Sequence, residues 1–189
     1  YMKDKKTMIE QAGEAGFHFE STYYGCAQCT IAAVQDTLGI RNDALFKAAS
    51  GFAAGCGGTC GGVCGGLTGG VMVMGSCFGR TRPGFGGEVD EKLCSSRMAK
   101  ELYIKFIDSY ESAICKEIHR DIFGRTFYFW DPVEKQAFED AGAHTDKCPS
   151  VVANASRWTT ELILNEVERR GMSLDELRCL FKSDLLEIA

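Results

Sequence analysis

The chain has 189 residues, 45% of them hydrophobic and 25% charged, with 3 prolines, which places it among folded proteins able to bury a core and excludes the disordered classes. A formal net charge of −5, without a cluster of lysine or arginine, excludes the basic face that nucleic-acid binding requires. Ten cysteines fall below the roughly 8–10% that marks a short secreted disulfide scaffold. In a reducing compartment they point to metal or redox chemistry instead.

The segment from Met2, MKDKKTMIEQ, is charged and lacks the apolar core of a signal peptide, so a cytoplasmic location is expected. Residues 2–14 carry a short helical pattern that ends near Gly13 and Gly16. A second helix opens after Ser21 and Thr22, its candidate caps, with Cys26, Cys29 and Ala33 on one face. NDALFKAASGF starts a third, capped by Asn42 or Asp43, with Leu45, Ala49 and Phe52 on one stripe.

From Ala48 to Gly79 there is no charged residue, and 15 of the 22 glycines lie between 51 and 87. Glycine dominates this stretch and strong hydrophobes cluster only at 71–74, so a membrane span is not expected. Within it, CGGTCGGVCGGLTGGV (56–71) repeats a four-residue unit four times, led by Cys56, Cys60, Cys64 and Thr68. Wound as a helix, the unit drifts by only about 40° per copy and lines three thiols along one stripe. Its paired glycines each cost roughly 0.5–1 kcal/mol relative to alanine. Close approach of another backbone, or of a metal group held by thiolates, would offset that. A flexible linker is the bland alternative, but linkers carry serine and polar residues rather than Cys, Val, Met and Leu.

RTRPGFGGEVD then reads as a loop, and residues 88–114 as one long helix with Leu93, Leu102, Phe106, Tyr110 and Ala113 recurring at helical spacing. CKEIHRDIFG continues it after a bend, and FYFW (127–130) supplies an aromatic plug for the core. Pro149 suits the first turn of a helix that runs to about Arg170 and stops at Gly171. SLDE (173–176) is a capping box for a last helix. With no sustained alternation of period two, the class is all-α: a single-domain helical bundle over residues 1–189 with a Gly/Cys-rich central helix or loop.

ASGF at 49–52, CGGLTGGVMVMG at 64–75, GCAQ at 25–28, SAICKEI at 112–118 and DKCPSVV at 146–152 together resemble the C_GCAxxG_C_C family. These are bacterial and archaeal proteins assigned redox activity, with four cysteines and a CGAxxG segment; split-Soret cytochromes resemble them more distantly. The resemblance covers roughly residues 20–165 and leaves 172–189 as a helical extension. It implies that the family's cysteines fall on Cys26, Cys64, Cys115 and Cys148, with Gly66 where the family usually has alanine. Cys29, Cys56 and Cys60 are additions to that pattern. Split-Soret proteins carry haem, but this chain has no CxxCH, so covalent haem is not expected.

The leading expectation is an iron–sulfur protein for electron transfer or redox sensing, not itself an enzyme, with Cys26, Cys29, Cys56, Cys60, Cys64, Cys115 and Cys148 as the ligand pool. Seven thiols exceed what one four-ligand cluster uses, which points to an unusual cluster. Cys77, Cys94 and Cys179 have no local companion and read as packing residues. Two alternatives stand beside it: thiol–disulfide exchange at Cys26/Cys29, although a thioredoxin-like context is missing, and zinc or copper thiolate storage. His119, four residues after Cys115, is a candidate substitute ligand or donor to sulfur, and His144 stands in the same relation to Cys148. Asp90, Glu91, Glu101 and Asp108 read as a solvated helix face, and the glycine stretch lacks the ending of a phosphate loop. Arg80 and Arg82 could attract an anion or acidic partner. A redox protein partner is expected, and an apolar glycine face is consistent with a homodimer.

Overall fold

A computed structural model describes residues 2–86 and 89–179. The protein is all-α, with helices α1 (Met2–Tyr23), α2 (Cys26–Leu38), α3 (Asp43–Ala48), α4 (Gly65–Phe78), α5 (Val89–Tyr110), α6 (Cys115–Phe123), α7 (Pro132–Asp140) and α8 (Cys148–Arg169). Short 3-10 segments cover Ser50–Phe52 and Pro83–Gly86, and a π-turn over Ala143–Lys147 leads into α8. Among the described residues the only β feature is an isolated antiparallel bridge between Val63 and Ile114. No described helix is long and apolar enough to cross a membrane.

Helix α2 sits at the centre, with α1, α4 and α8 around it. Its Ile31, Val34 and Leu38 are buried together with Phe106 of α5 and Ile163 of α8. A second, aromatic cluster of Phe127, Phe138 and Ala143, flanked by Phe123 and Phe129, closes the other end and reaches Cys148.

Several local expectations are met. Asn42 caps α3 by accepting from the Leu45 N–H (2.9 Å). The Ser173–Glu176 capping box closes reciprocally, with Glu176 Oε2 accepting from the Ser173 N–H (2.6 Å) and Ser173 Oγ from the Glu176 N–H (3.2 Å). Pro149 lies in the first turn of α8. The extension expected over 172–189 is described only as far as residue 179, where 174–179 are helical; the rest lies outside the described residues.

Other boundaries move, and tertiary packing is the reason. Helix α1 does not stop near Gly13 and Gly16 but continues to Tyr23. A Cβ at Gly13 would strike the Arg157 side chain, and one at Gly16 would strike Ser156, so these glycines admit α8 rather than end α1. The cap of α2 is Gly25, in the left-handed region at φ 93°, and not Ser21 or Thr22. Helix α5 ends at Tyr110, and the left-handed Glu111 (φ 55°) turns the chain before Cys115 opens α6. Of the FYFW plug only Phe127 is buried, while Trp130 keeps 71% of its surface exposed. Helix α7 escaped the sequence reading, although Asp131 accepts from the Val133 and Glu134 N–H groups and Pro132 follows it, a recognisable start.

The glycine repeat divides in two. Its last two copies, from Gly65, are the first half of α4; its first two are not helical. On α4, Gly65 and Gly69 face α2, where a Cβ would collide with Cys26 Sγ and with the Ala27 carbonyl. Gly66 and Gly70 face α8 at Ala155 and Thr159. The paired glycines let one helix lie close against two neighbours at once, which offsets their conformational cost.

Candidate metal centre

Four chain segments converge on one cavity of about 310 Å³. Cys26 comes from the first turn of α2, Cys64 from the residue capping α4, Cys115 from the first residue of α6 and Cys148 from the first residue of α8. All four thus stand at helix N-termini, where backbone N–H groups and the helix dipole favour negative charge. The amides of Gly66 and Leu67 donate toward Cys64 Sγ, and those of Ala27 and Ala54 toward Cys26 Sγ. The rest of the lining is largely apolar, including Ile118, Phe129, Phe138 and Val152.

The loop before α4 brings a fifth thiol, Cys60, beside Cys115 of this wall. Ala54, Gly55, Cys56, Gly57, Gly58 and Cys60 all have φ between 48° and 73°, a run of left-handed residues that only a glycine-rich sequence sustains. Three backbone bonds sew this loop to the start of α6: Cys64 N to Ala113 O (2.8 Å), Cys115 N to Gly62 O (2.9 Å) and Lys116 N to Cys60 O (2.8 Å). The ligand atoms of Cys60, Cys115 and His119 consequently lie within 4.8 Å of one another, all three residues buried. His119 Nε2 is 3.6 Å from Cys115 Sγ and 4.0 Å from Cys148 Sγ. Its ring is boxed by Phe123, Phe127, Phe129 and Phe138.

The electrostatics show what the thiols lack. Burial pushes Cys64 up to about 11 against its amide donors. Burial, the Glu20 carboxylate and Cys64 push Cys26 higher still, and burial followed by Glu20 does the same to Cys148. In the Cys60–Cys115 pair, the shared hydrogen bond holds Cys60 below the usual thiol range and lifts Cys115 above it. A set of thiols in a dry pocket that cannot all ionise alone, with amide donors already aimed at two of the sulfurs, fits a cationic thiophilic group that stabilises thiolate.

The other two expected ligands lie elsewhere. Cys29 is buried, but its thiol donates to the Tyr24 carbonyl (3.2 Å) and it lines a separate groove with Phe19, Tyr23 and Phe46. Cys56 is exposed. The three-thiol stripe expected for a helical repeat does not form, because the chain winds as a helix only from Gly65. Cys77 packs half-buried against the core, Cys94 is buried beside Glu166, and Cys179 is exposed.

Residues 24–162 match the family model described as "Putative redox-active protein (C_GCAxxG_C_C)". The chain belongs to this family. The segment in which the resemblance implies the family's glycine motif, Cys64 to Gly69, forms the start of α4. The four cysteines that the resemblance implied, Cys26, Cys64, Cys115 and Cys148, all line the cavity, and of the three additional ones Cys60 lies beside Cys115 and His119. No curated protein and no solved structure is significantly similar to the chain. Sequence reasoning overlooked Glu20, Tyr24, Phe129 and Phe138 as lining residues. Glu20 was invisible because α1 was expected to end before it.

Proposed function

We propose that this protein is an electron-transfer or redox-sensing protein that holds an iron–sulfur cluster in the cavity, with Cys26, Cys64, Cys115 and Cys148 as its ligands and Cys60 beside them. The observation that supports this is the convergence of four thiols from four separate helix starts on one apolar space of about 310 Å³. Thiolates at that number suit iron–sulfur clusters, whose potentials respond to burial and to hydrogen bonds on sulfur. Bound there, such a cluster supplies one-electron chemistry. The protein's own part is to gather the ligands, to direct the Ala27, Ala54, Gly66 and Leu67 amides toward two of the sulfurs, and to exclude water with the aromatic end of the pocket. Cys29 and Cys56 are left out of the ligand set, and a redox protein is the partner we expect.

The test is anaerobic purification followed by visible absorption and assays for iron and acid-labile sulfide. A brown protein with both elements supports the proposal; a colourless, iron-free protein after cluster reconstitution overturns it. One observation favours a second reading. Cys60, Cys115 and His119, with Cys148 4.0 Å from the same imidazole nitrogen, approach a three-cysteine, one-histidine zinc set. Native mass spectrometry showing one zinc and no sulfide would decide for it. Thiol–disulfide exchange between Cys26 and Cys29 draws less support, since Cys29 lines a separate groove and its thiol donates to the Tyr24 carbonyl.

A further inference from the structure

One buried thiol is in excess of the four proposed as ligands. Cys60 is fully buried and lies in the left-handed region, at φ 56°, where a side chain is strained and glycine, the residue at 55, 57 and 58 of the same loop, is not. Its surroundings are built around Cys115. A Cβ at Gly55 would stand 2.9 Å from the Cys60 Cα and 2.9 Å from the Cys115 Cβ, so the two cysteines close on one point that only a glycine leaves free. The Lys116 N–H donates to the Cys60 carbonyl (2.8 Å) and the Cys115 N–H to the Gly62 carbonyl (2.9 Å), which pins the backbone beside both thiols. The two thiols share a hydrogen bond, and their sulfurs lie within 4.8 Å of each other and of a His119 ring nitrogen. Thiols held this near, on backbones already tied together, meet the first requirement of a disulfide, since neither chain segment has to travel.

We infer that Cys60 and Cys115 are a dithiol–disulfide pair, oxidised by a hydroperoxide that enters the cavity, and that their disulfide closes the cavity to metal by withdrawing Cys115 from the ligand set. The pairing stands on the contacts of these two residues alone. The closing of the cavity rests on its reading as a metal centre. Cys115 lines the space of about 310 Å³, which has room for a small peroxide, whereas the buried Cys60 beside it is out of reach of bulky oxidants.

With hydrogen peroxide the step balances as follows. One of the two sulfurs, as thiolate, attacks a peroxide oxygen; the O–O bond breaks, the leaving hydroxide takes up that thiol's proton as water, and a sulfenic acid remains. The second sulfur then displaces hydroxide from the first, the S–S bond forms, and this hydroxide leaves as water with the second thiol's proton. Two thiols and one hydrogen peroxide give one disulfide and two waters, with two electrons passed from sulfur to oxygen. An external dithiol reverses the step by exchange. With Cys115 bonded to Cys60, the cavity keeps Cys26, Cys64 and Cys148, one thiol short of the set that would hold the metal.

The experiment treats the reduced, metal-free full chain with one equivalent of hydrogen peroxide, alkylates the remaining thiols and maps the tryptic peptides by mass spectrometry. Trypsin leaves Cys60 on residues 48–80 and Cys115 on residues 106–116. The pair should appear as a link between these two peptides, two hydrogens lighter than the unlinked peptides together, placed at Cys60 by fragmentation and abolished by dithiothreitol. Cys56→Ser should keep the link, and Cys60→Ser should lose it at least tenfold. Cobalt(II), titrated in reductant-free buffer and read by its thiolate charge-transfer absorption, should bind the oxidised wild type at least tenfold more weakly than the reduced. In Cys60→Ser the same treatment should weaken cobalt binding less than twofold. Wild type with no link, with Cys115 joined to another cysteine, or with the link undiminished in Cys60→Ser overturns the pair. A Cys60–Cys115 disulfide that leaves cobalt binding unchanged overturns the closing of the cavity. A reduced protein that binds neither cobalt nor iron overturns the metal centre and the closing with it, while the peptide map still decides the pair.

Discussion

Replacing Gly69 with alanine tests the packing on which the site depends. A Cβ there would collide with the Ala27 carbonyl oxygen and lie 3.1 Å from the Ala27 Cα. All of these are backbone atoms of α2, which cannot swing aside as a side-chain tip would. Ordinary carbon contacts begin near 3.5 Å, so α4 must retreat by about 1 Å. Overpacking of this kind costs roughly 1–3 kcal/mol, while alanine returns about 1 kcal/mol of helix propensity. The net loss expected is about 0–2 kcal/mol. Gly75, on the same helix, is the control, because a Cβ there meets only Ser95 Oγ at 3.9 Å. Gly75→Ala should stabilise by about 0.5–1 kcal/mol. The two variants therefore differ by about 0.5–3 kcal/mol, or roughly 1–12 °C in Tm for a domain of this size. Thermal unfolding followed by circular dichroism at 222 nm reads the difference. If Gly69→Ala melts above wild type, or both variants shift in the same direction, the close α2–α4 contact is wrong.

Serine at Cys26, Cys64, Cys115 or Cys148 should each lower bound iron at least tenfold on reconstitution, whereas Cys29→Ala and Cys56→Ser should retain it, as measured by iron content per chain. Glu166→Gln should destabilise by about 2–3 kcal/mol in urea unfolding. The wild-type carboxylate is buried among Arg97, Arg169 and Arg170, and the partial exposure of the arginines moderates the loss. The hydrogen bond from Arg169, helped by Arg170, Cys94 and Arg97, holds Glu166 below the usual carboxylate range. Its contribution is therefore complete above about pH 5 and fades as the pH falls below about 4, so the Gln variant should converge on wild type in acid. Glu20 runs the other way. Its folded value of about 7 lies above 4.5, so the metal-free protein should lose stability as the pH rises from about 4.5 to 7 and then level off. Glu20→Gln should remove that decline and be more stable at pH 8 by about 1–3 kcal/mol, with little difference at pH 4.

Much of the fold was legible because helix signals are local. The Asn42 cap, the Ser173–Glu176 box and Pro149 in the first turn of α8 each satisfy backbone groups within a few residues. The errors share a cause. Gly13, Gly16 and the paired glycines of 56–71 are locally ambiguous, since glycine serves equally as a stop, as a left-handed turn residue and as a place for another helix to approach. Only the neighbour decides: Arg157 and Ser156 for α1, Cys26 and Ala27 for α4. The placing of the cysteines was hidden for a similar reason. A CxxC spacing on α2 does not say which side chain turns toward the cavity, and the Tyr24 carbonyl takes Cys29 away from it.

By itself, the sequence determined the all-α class, the family and the cysteine-rich set of residue types from which the site is built, because capping, periodicity and cysteine content are properties of short stretches. The tertiary structure decided which thiols meet. It splits the glycine repeat into a left-handed loop that presents Cys60 and a helix that presents Cys64, and it brings Glu20, His119 and His144 from unrelated segments to one wall. These are long-range contacts, and no local preference in the chain encodes the partner that each one requires.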